Sequence, residues 1–130
     1  MVYEASMARL TLRAPSHFSE AMKQATDALK TFRDERDWKQ FHDPKNLAAA
    51  LSIEAAELNE VFLWKSTEES HDVDLARVRE ELADVLAYAL LLADAFGLDP
   101  EEIVLEKVAA NAKKYPVEKA RGVATKYTDL

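Results

Sequence analysis

Glu54 and Glu57 stand three residues apart in an amphipathic run, and Glu81 and Asp84 repeat that spacing further along. On a helix this spacing puts both members of a pair on one face, about one turn apart. Each pair borders an apolar stripe rather than lying opposite it. Two helices packed through those stripes gather four carboxylates at one edge of the core. Four like charges in such a place must be protonated or neutralised, and Mg²⁺ is the natural partner of an all-oxygen site. A single E-x-x-E pair is common on a solvated helix face; the second, matching pair brings a metal site level with that plainer reading.

Other chemistries are removed by composition. Gly97 and Gly122 are the only glycines, so neither a Walker loop nor a G-x-G-x-x-G turn can be written. The absence of cysteine excludes disulfides, thiolate zinc sites and cysteine nucleophiles. His17, His42 and His71 are scattered, and H-E-x-x-H is absent. One Glu-x-x-His, Glu68 to His71, falls in a polar stretch, whereas di-iron bundles need two such pairs on helices. Lys plus Arg total 17 against 24 Asp plus Glu, a formal charge of −7. That balance opposes duplex nucleic-acid binding, which needs a basic face to displace counterions. A small anion bridged by metal remains compatible with it.

Aromatic and cationic residues complete the candidate set. Trp38 and Trp64 are the only tryptophans, each expected to close a helix near a basic residue. They can stack on a base or pack in a core or interface. Lys107, Asn111, Lys113, Lys114, Tyr115, Arg121 and Lys126 gather cations late in an acidic chain. Such cations suit a triphosphate, and equally the negative end of a helix dipole.

The elements that must position these groups read as helices. A chain of 130 residues, 48% hydrophobic and 32% charged, supports one packed domain, with residues 1–15 an irregular arm and 16–130 the domain. A first helix starts near Ser16 or Ser19 and runs to about Trp38. Asp43-Pro44 caps a second, to about Lys65, with Leu47, Leu51, Ala55, Leu58 and Phe62 on one face. Residues 66–74 form a polar loop. A third helix carries Val78, Leu82, Val85, Ala89, Leu92 and Phe96, with Gly97 at its C-terminus. Asp99-Pro100 opens a fourth helix, which ends before Pro116, and residues up to 130 form a tail. No stretch alternates with period two. Leu86, Leu90 and Ala93 lie outside the third helix's main stripe, which points to burial between subunits and an oligomer. The longest apolar run, Val85–Ala93, is far short of the ~20 residues of a membrane span. No secretory signal opens the chain, so a cytoplasmic location is expected.

Several of these stretches resemble one family. Phe32-Arg33-Asp34-Glu35-Arg36-Asp37-Trp38, Gln40-Phe41-His42 and Pro44-Lys45-Asn46-Leu47 look like the all-α nucleotide pyrophosphohydrolases of the MazG type. Glu54-x-x-Glu57 and Glu81-x-x-Asp84 are similar to that superfamily's metal signature. Phe62 to Lys65, Glu80 to Leu86, and Lys114-Tyr115-Pro116 through Leu130 bring the likeness closest to the dCTP pyrophosphatases. The resemblance covers about residues 20–130. It implies a four-helix MazG-like bundle assembling as a dimer or, preferably, a tetramer. It also implies Mg²⁺-dependent cleavage of dCTP and modified cytosine nucleotides to the monophosphate and pyrophosphate, a pool-cleansing role. By position, Glu54, Glu57, Glu81 and Asp84 would hold Mg²⁺. Trp38, His42, Trp64 and Tyr88 would line the base and sugar pocket, with Lys107, Asn111, Lys114 and Tyr115 toward the phosphates. Leu29 stands where some relatives place a histidine near the base. The alternatives are a broad or dUTP-directed pyrophosphohydrolase and a non-catalytic, nucleotide-binding helical oligomer. No nucleic-acid or membrane partner is expected.

Overall fold

The computed structural model describes residues 17–130, with side chains from Glu20 onward. The expected arm over 1–15 and the expected cap at Ser16 lie outside the described residues, and Ser19 is inside the first helix. Among the described residues five α-helices follow in order: α1 His17–Asp34, α2 Pro44–Glu60, α3 Leu75–Ala95, α4 Pro100–Lys114 and α5 Val117–Ala120. Short 3₁₀ turns occupy Lys39–Phe41, Glu69–Asp72 and Tyr127–Asp129. The all-α class is the one the periodicity indicates. Four long helices match the expected four, and α5 is a single extra turn after Pro116. Among the described residues no helix is long and apolar enough to cross a membrane.

The helix starts are set by aspartates. Asp43 accepts the Asn46 amide at 2.9 Å, and Pro44 fills the first turn, where a missing N–H costs nothing. Asp74 accepts from the Ala76 amide at 2.9 Å, and Asp99 from Glu101 and Glu102 at 2.8 and 3.0 Å. Inside the expected 66–74 loop, Ser66 and Glu69 cap each other. The Glu69 amide donates to Ser66 Oγ at 3.1 Å and the Ser66 amide to Glu69 Oε2 at 2.8 Å.

Two helices end earlier than the apolar pattern suggests. α1 stops at Asp34, not Trp38, because the chain turns left-handed at Asp37, φ 52°. The Asp37 amide donates to the Asp34 carbonyl at 3.1 Å and the Trp38 amide to the Arg33 carbonyl at 3.0 Å. Those two bonds are the paired closure of a Schellman motif, with Asp37 where glycine usually stands. α2 stops at Glu60, not Lys65: residues 61–63 tighten into i→i−3 bonds, and Trp64 then takes φ 64°.

The chain divides into two compact units, Met1–Phe96 and Gly97–Leu130. In the first, α2 and α3 form the principal pairing and α1 packs on α3. Lys30 Nζ joins Asp94 Oδ1 at 3.2 Å across that second contact. Leu47, at 2% exposure, Val61, Leu91 and Ala93 are the buried apolar residues among those described. Of the expected stripes, Leu47 is buried and Leu51, Leu58 and Phe62 half-buried on α2 and the turn after it. Leu82 on α3 and Phe96 just after it are exposed, while Leu91, outside the expected stripe, is buried. In the second unit α4 is followed by α5 and the Tyr127–Asp129 turn.

Candidate active site

Packing α2 against α3 brings carboxylates from both helices together. Glu54, Glu57 and Glu81 each place an oxygen within 4.8 Å of the others. Glu54 is half-buried, and its Oε2 is buried with no hydrogen-bond partner. An unpartnered buried carboxylate oxygen is costly unless something else meets it. Burial, followed by the charge of Glu57, raises the Glu54 pKa, with Asp84 and Glu81 adding to it. Glu81 is pushed up as well, by desolvation and then by Glu57, Glu80 and Asp84. Both shifts record burial together with like charges held close, which for Glu81 the nearby Arg77 only partly offsets. The cluster can hold a metal ion: it is all oxygen, convergent and in want of positive charge. Asp84 falls outside the three-oxygen cluster, although its charge reaches both Glu54 and Glu81.

Next to the acids stand two rings that the sequence also singles out. Tyr88, half-buried on α3, has its phenol pKa raised by burial and by the charges of Glu54 and Asp84. His42 lies edge-on to Tyr88, with ring centroids 6.3 Å apart at 61°. Its Nδ1 is buried and unpartnered. Burial and then the nearby Arg33 guanidinium lower the His42 pKa, which keeps the ring neutral at pH 7. A neutral imidazole with a free buried nitrogen is equipped to meet a polar group on a ligand.

The tryptophans sit beyond the helix ends. Trp38 precedes the Lys39–Phe41 turn and meets Phe32 edge-on, centroids 5.8 Å apart. Arg36 lies over the other partner of that contact, 3.6 Å from the Phe32 centroid. Trp64 is 91% exposed while in the left-handed region, unfavourable for so bulky a residue. An indole held outward by strained backbone does no core packing.

Arg33 is the residue that sequence reasoning missed. It is 8% exposed, and its Nε donates to Asp34 Oδ1 at 2.8 Å. A buried cation whose charge reaches His42 has no signature in a helical run of charged residues.

In the second unit, Lys107, Asn111 and Lys114 follow helical spacing along one face of α4. Tyr115 ends that helix, its amide donating to the Asn111 carbonyl at 2.9 Å.

Comparison with known proteins supplies the family. Residues 49–130 match the MazG-like family. dCTP pyrophosphatase 1 of Rattus norvegicus is 45% identical over 104 residues, covering 76% of this chain and 61% of that protein. Its Homo sapiens counterpart is 38% identical over 126 residues, covering 90% and 74%. The chain thus spans about 61% of the length of the rodent relatives it matches. The crystal structure of a pyrophosphatase from Archaeoglobus fulgidus superposes with a TM-score of 0.72 at 42% identity, over 81% of this chain and 98% of that one.

Proposed function

Because this chain belongs to the MazG-like family, we propose that it hydrolyses nucleoside triphosphates between the α and β phosphorus, dCTP foremost, releasing dCMP and pyrophosphate. The observation that carries the proposal is the convergence of Glu54, Glu57 and Glu81, with a partnerless Glu54 oxygen, beside the Tyr88–His42 pair. Residues 16–130 serve as the catalytic domain.

Glu54, Glu57, Glu81 and Asp84 are the residues to hold Mg²⁺. When bound, that cation supplies charge against the triphosphate and acidifies water. One of the four carboxylates orients the water for in-line attack. Trp38 and Trp64 offer faces on which a base stacks, a sequence-tolerant contact of ~1–3 kcal/mol per base. Discrimination among bases therefore needs polar groups, and His42, neutral with a free Nδ1, is the nearest candidate to Trp38 in sequence. Tyr88 borders the sugar. Lys107, Asn111, Lys114 and Tyr115 are the phosphate-binding residues of α4.

Self-association belongs to the same proposal. Among the described residues few apolar side chains are buried within one chain, while Leu75, Leu82 and Leu86 on α3 are exposed. A homo-oligomer, a tetramer by preference, covers such a face. Sedimentation at micromolar concentration checks it, and a monomer would overturn it.

Pyrophosphate release across the common dNTPs and NTPs with Mg²⁺ tests the activity. Preferred turnover of dCTP and of modified cytosine deoxynucleotides is expected. Comparable rates on purines would reduce the proposal to a broad pyrophosphohydrolase, and a dUTP preference would redirect it. No turnover together with no calorimetric signal from Mg²⁺ and nucleotide would favour a non-catalytic oligomer.

A further inference from the structure

The second unit ties the end of α4 to the residues after α5 through one aromatic ring. Lys114 Nζ stands over the Tyr127 ring, 5.1 Å from its centroid. Tyr115 meets the same ring edge-on, centroids 5.9 Å apart at 77°. Tyr127 itself opens a 3₁₀ turn closed by the Asp129 amide on the Lys126 carbonyl at 2.8 Å. Among the described residues Lys114 forms no ion pair within 4.0 Å, in a chain with a net charge of −7.

The choice of partner matters. A carboxylate would orient the ammonium but cancel its charge. An aromatic face attracts the ammonium through the ring quadrupole and leaves the full positive charge available to an anion. The edge contact with Tyr115 uses the same ring, so one residue sets the position of two neighbours on α4.

We propose that Tyr127 is a positioning residue, holding the Lys114 ammonium and the Tyr115 ring in place for the phosphate chain of the substrate. The proposal rests on reading α4 as the phosphate-binding helix, and it adds a residue that acts only through its neighbours. Tyr127 has no contact of its own with the substrate in this scheme; its ring, not its hydroxyl, is what counts.

Calorimetry with inorganic pyrophosphate and Mg²⁺, on wild type, Tyr127→Phe and Tyr127→Leu, tests it. Tyr127→Leu is expected to weaken pyrophosphate binding about fivefold, and Tyr127→Phe to restore it. With dCTP, Tyr127→Leu should raise KM by a similar factor and leave kcat within about twofold, as loss of uniform binding requires. Inhibition by dCMP, which lacks the outer phosphates, should not change. A merely structural role would lower kcat through loss of folded enzyme and leave both the pyrophosphate affinity and the dCMP inhibition constant alone. Should Tyr127→Leu fail to fold, Tyr127→Gln removes the ring with similar bulk. Equal pyrophosphate affinity in the ring-less variant, equal weakening in Tyr127→Phe, or no pyrophosphate binding by wild type would each overturn the proposal. Ring-dependent pyrophosphate binding without dCTP turnover would sustain it while refuting the assigned activity.

Discussion

The Trp38 amide closes onto the Arg33 carbonyl at 3.0 Å, so the backbone bond that ends α1 also fixes where the Trp38 indole stands. Its ring then rests on Phe32, the residue just before Arg33, as apolar contacts across a Schellman closure commonly do. The closure needs Asp37 at φ 52°. Asp37→Val, which tolerates that conformation poorly, should cost about 1–3 kcal/mol. Asp37→Gly should stay within about 0.5 kcal/mol of wild type, since the residue is exposed. Urea denaturation of both variants checks this; equal stabilities would show that the left-handed turn is not what holds Trp38.

Trp64 should separate stability from activity. Glycine relieves the left-handed backbone, so Trp64→Gly is expected to gain about 1 kcal/mol in chemical denaturation. The same change removes an exposed stacking face and should weaken nucleotide binding by ~1–3 kcal/mol. Tryptophan fluorescence of wild type should respond to added nucleotide. A variant that loses stability would return Trp64 to a packing role.

Glu57 raises both Glu54 and Glu81, and the sign of its effect on stability follows. A carboxyl whose pKa is higher in the folded state than in the unfolded favours folding at low pH. That advantage is lost as pH climbs above the ordinary Glu value of 4.5 through the raised ones. Metal-free protein should therefore melt lower at pH 7 than at pH 5. Glu57→Gln should flatten the slope and melt no lower than wild type at pH 7, while activity falls by orders of magnitude. Loss of fold together with activity would mark Glu57 as a structural acid.

Arg33 should control the charge of His42. Removing the guanidinium in Arg33→Met takes away one of the two causes that depress the imidazole pKa, so His42 should titrate higher. For a depressed histidine, stability is lost as pH falls through the ordinary value of 6.5, because the unfolded chain takes up the proton more readily. Over this range the raised carboxylates pull stability the other way, so the variant should gain more stability than wild type between pH 7 and pH 5.5. Imidazole proton shifts by NMR give the titration directly; an unmoved His42 would refute the coupling.

How legible these features were in the sequence depends on how local their causes are. Asp43-Pro44 and Asp99-Pro100 mark helix starts because a cap and its proline act within one turn. The ends of α1 and α2 were hidden: a left-handed residue is sought as glycine, and here Asp37 and Trp64 fill it. Ser66-x-x-Glu69 did carry a readable signal, the reciprocal cap of a short turn. Spacing placed Glu54 with Glu57 and Glu81 with Asp84, but pairing along a helix does not set the distance across helices. Asp84 therefore remains outside the three-oxygen cluster. Burial of Leu91 and Arg33, and exposure of Leu82 and Phe96, depend on the rotation of each helix against its neighbours. A stripe drawn at helical period leaves that angle free.

The α2–α3 pairing also has a consequence in time. Its two helices are joined by residues 61–74 alone, whereas the Lys30–Asp94 contact closes a loop of 64 residues. Shorter closure costs less chain entropy, so the acid-bearing pair is expected to meet early, before α1 docks. Mutual repulsion of Glu54, Glu57 and Glu81 then burdens the ascent to the folding barrier more than the descent from it. Mild acid or a divalent cation should speed refolding and leave the unfolding rate nearly unmoved in stopped-flow chevrons. An effect confined to the unfolding arm would place the encounter of these carboxylates after the barrier.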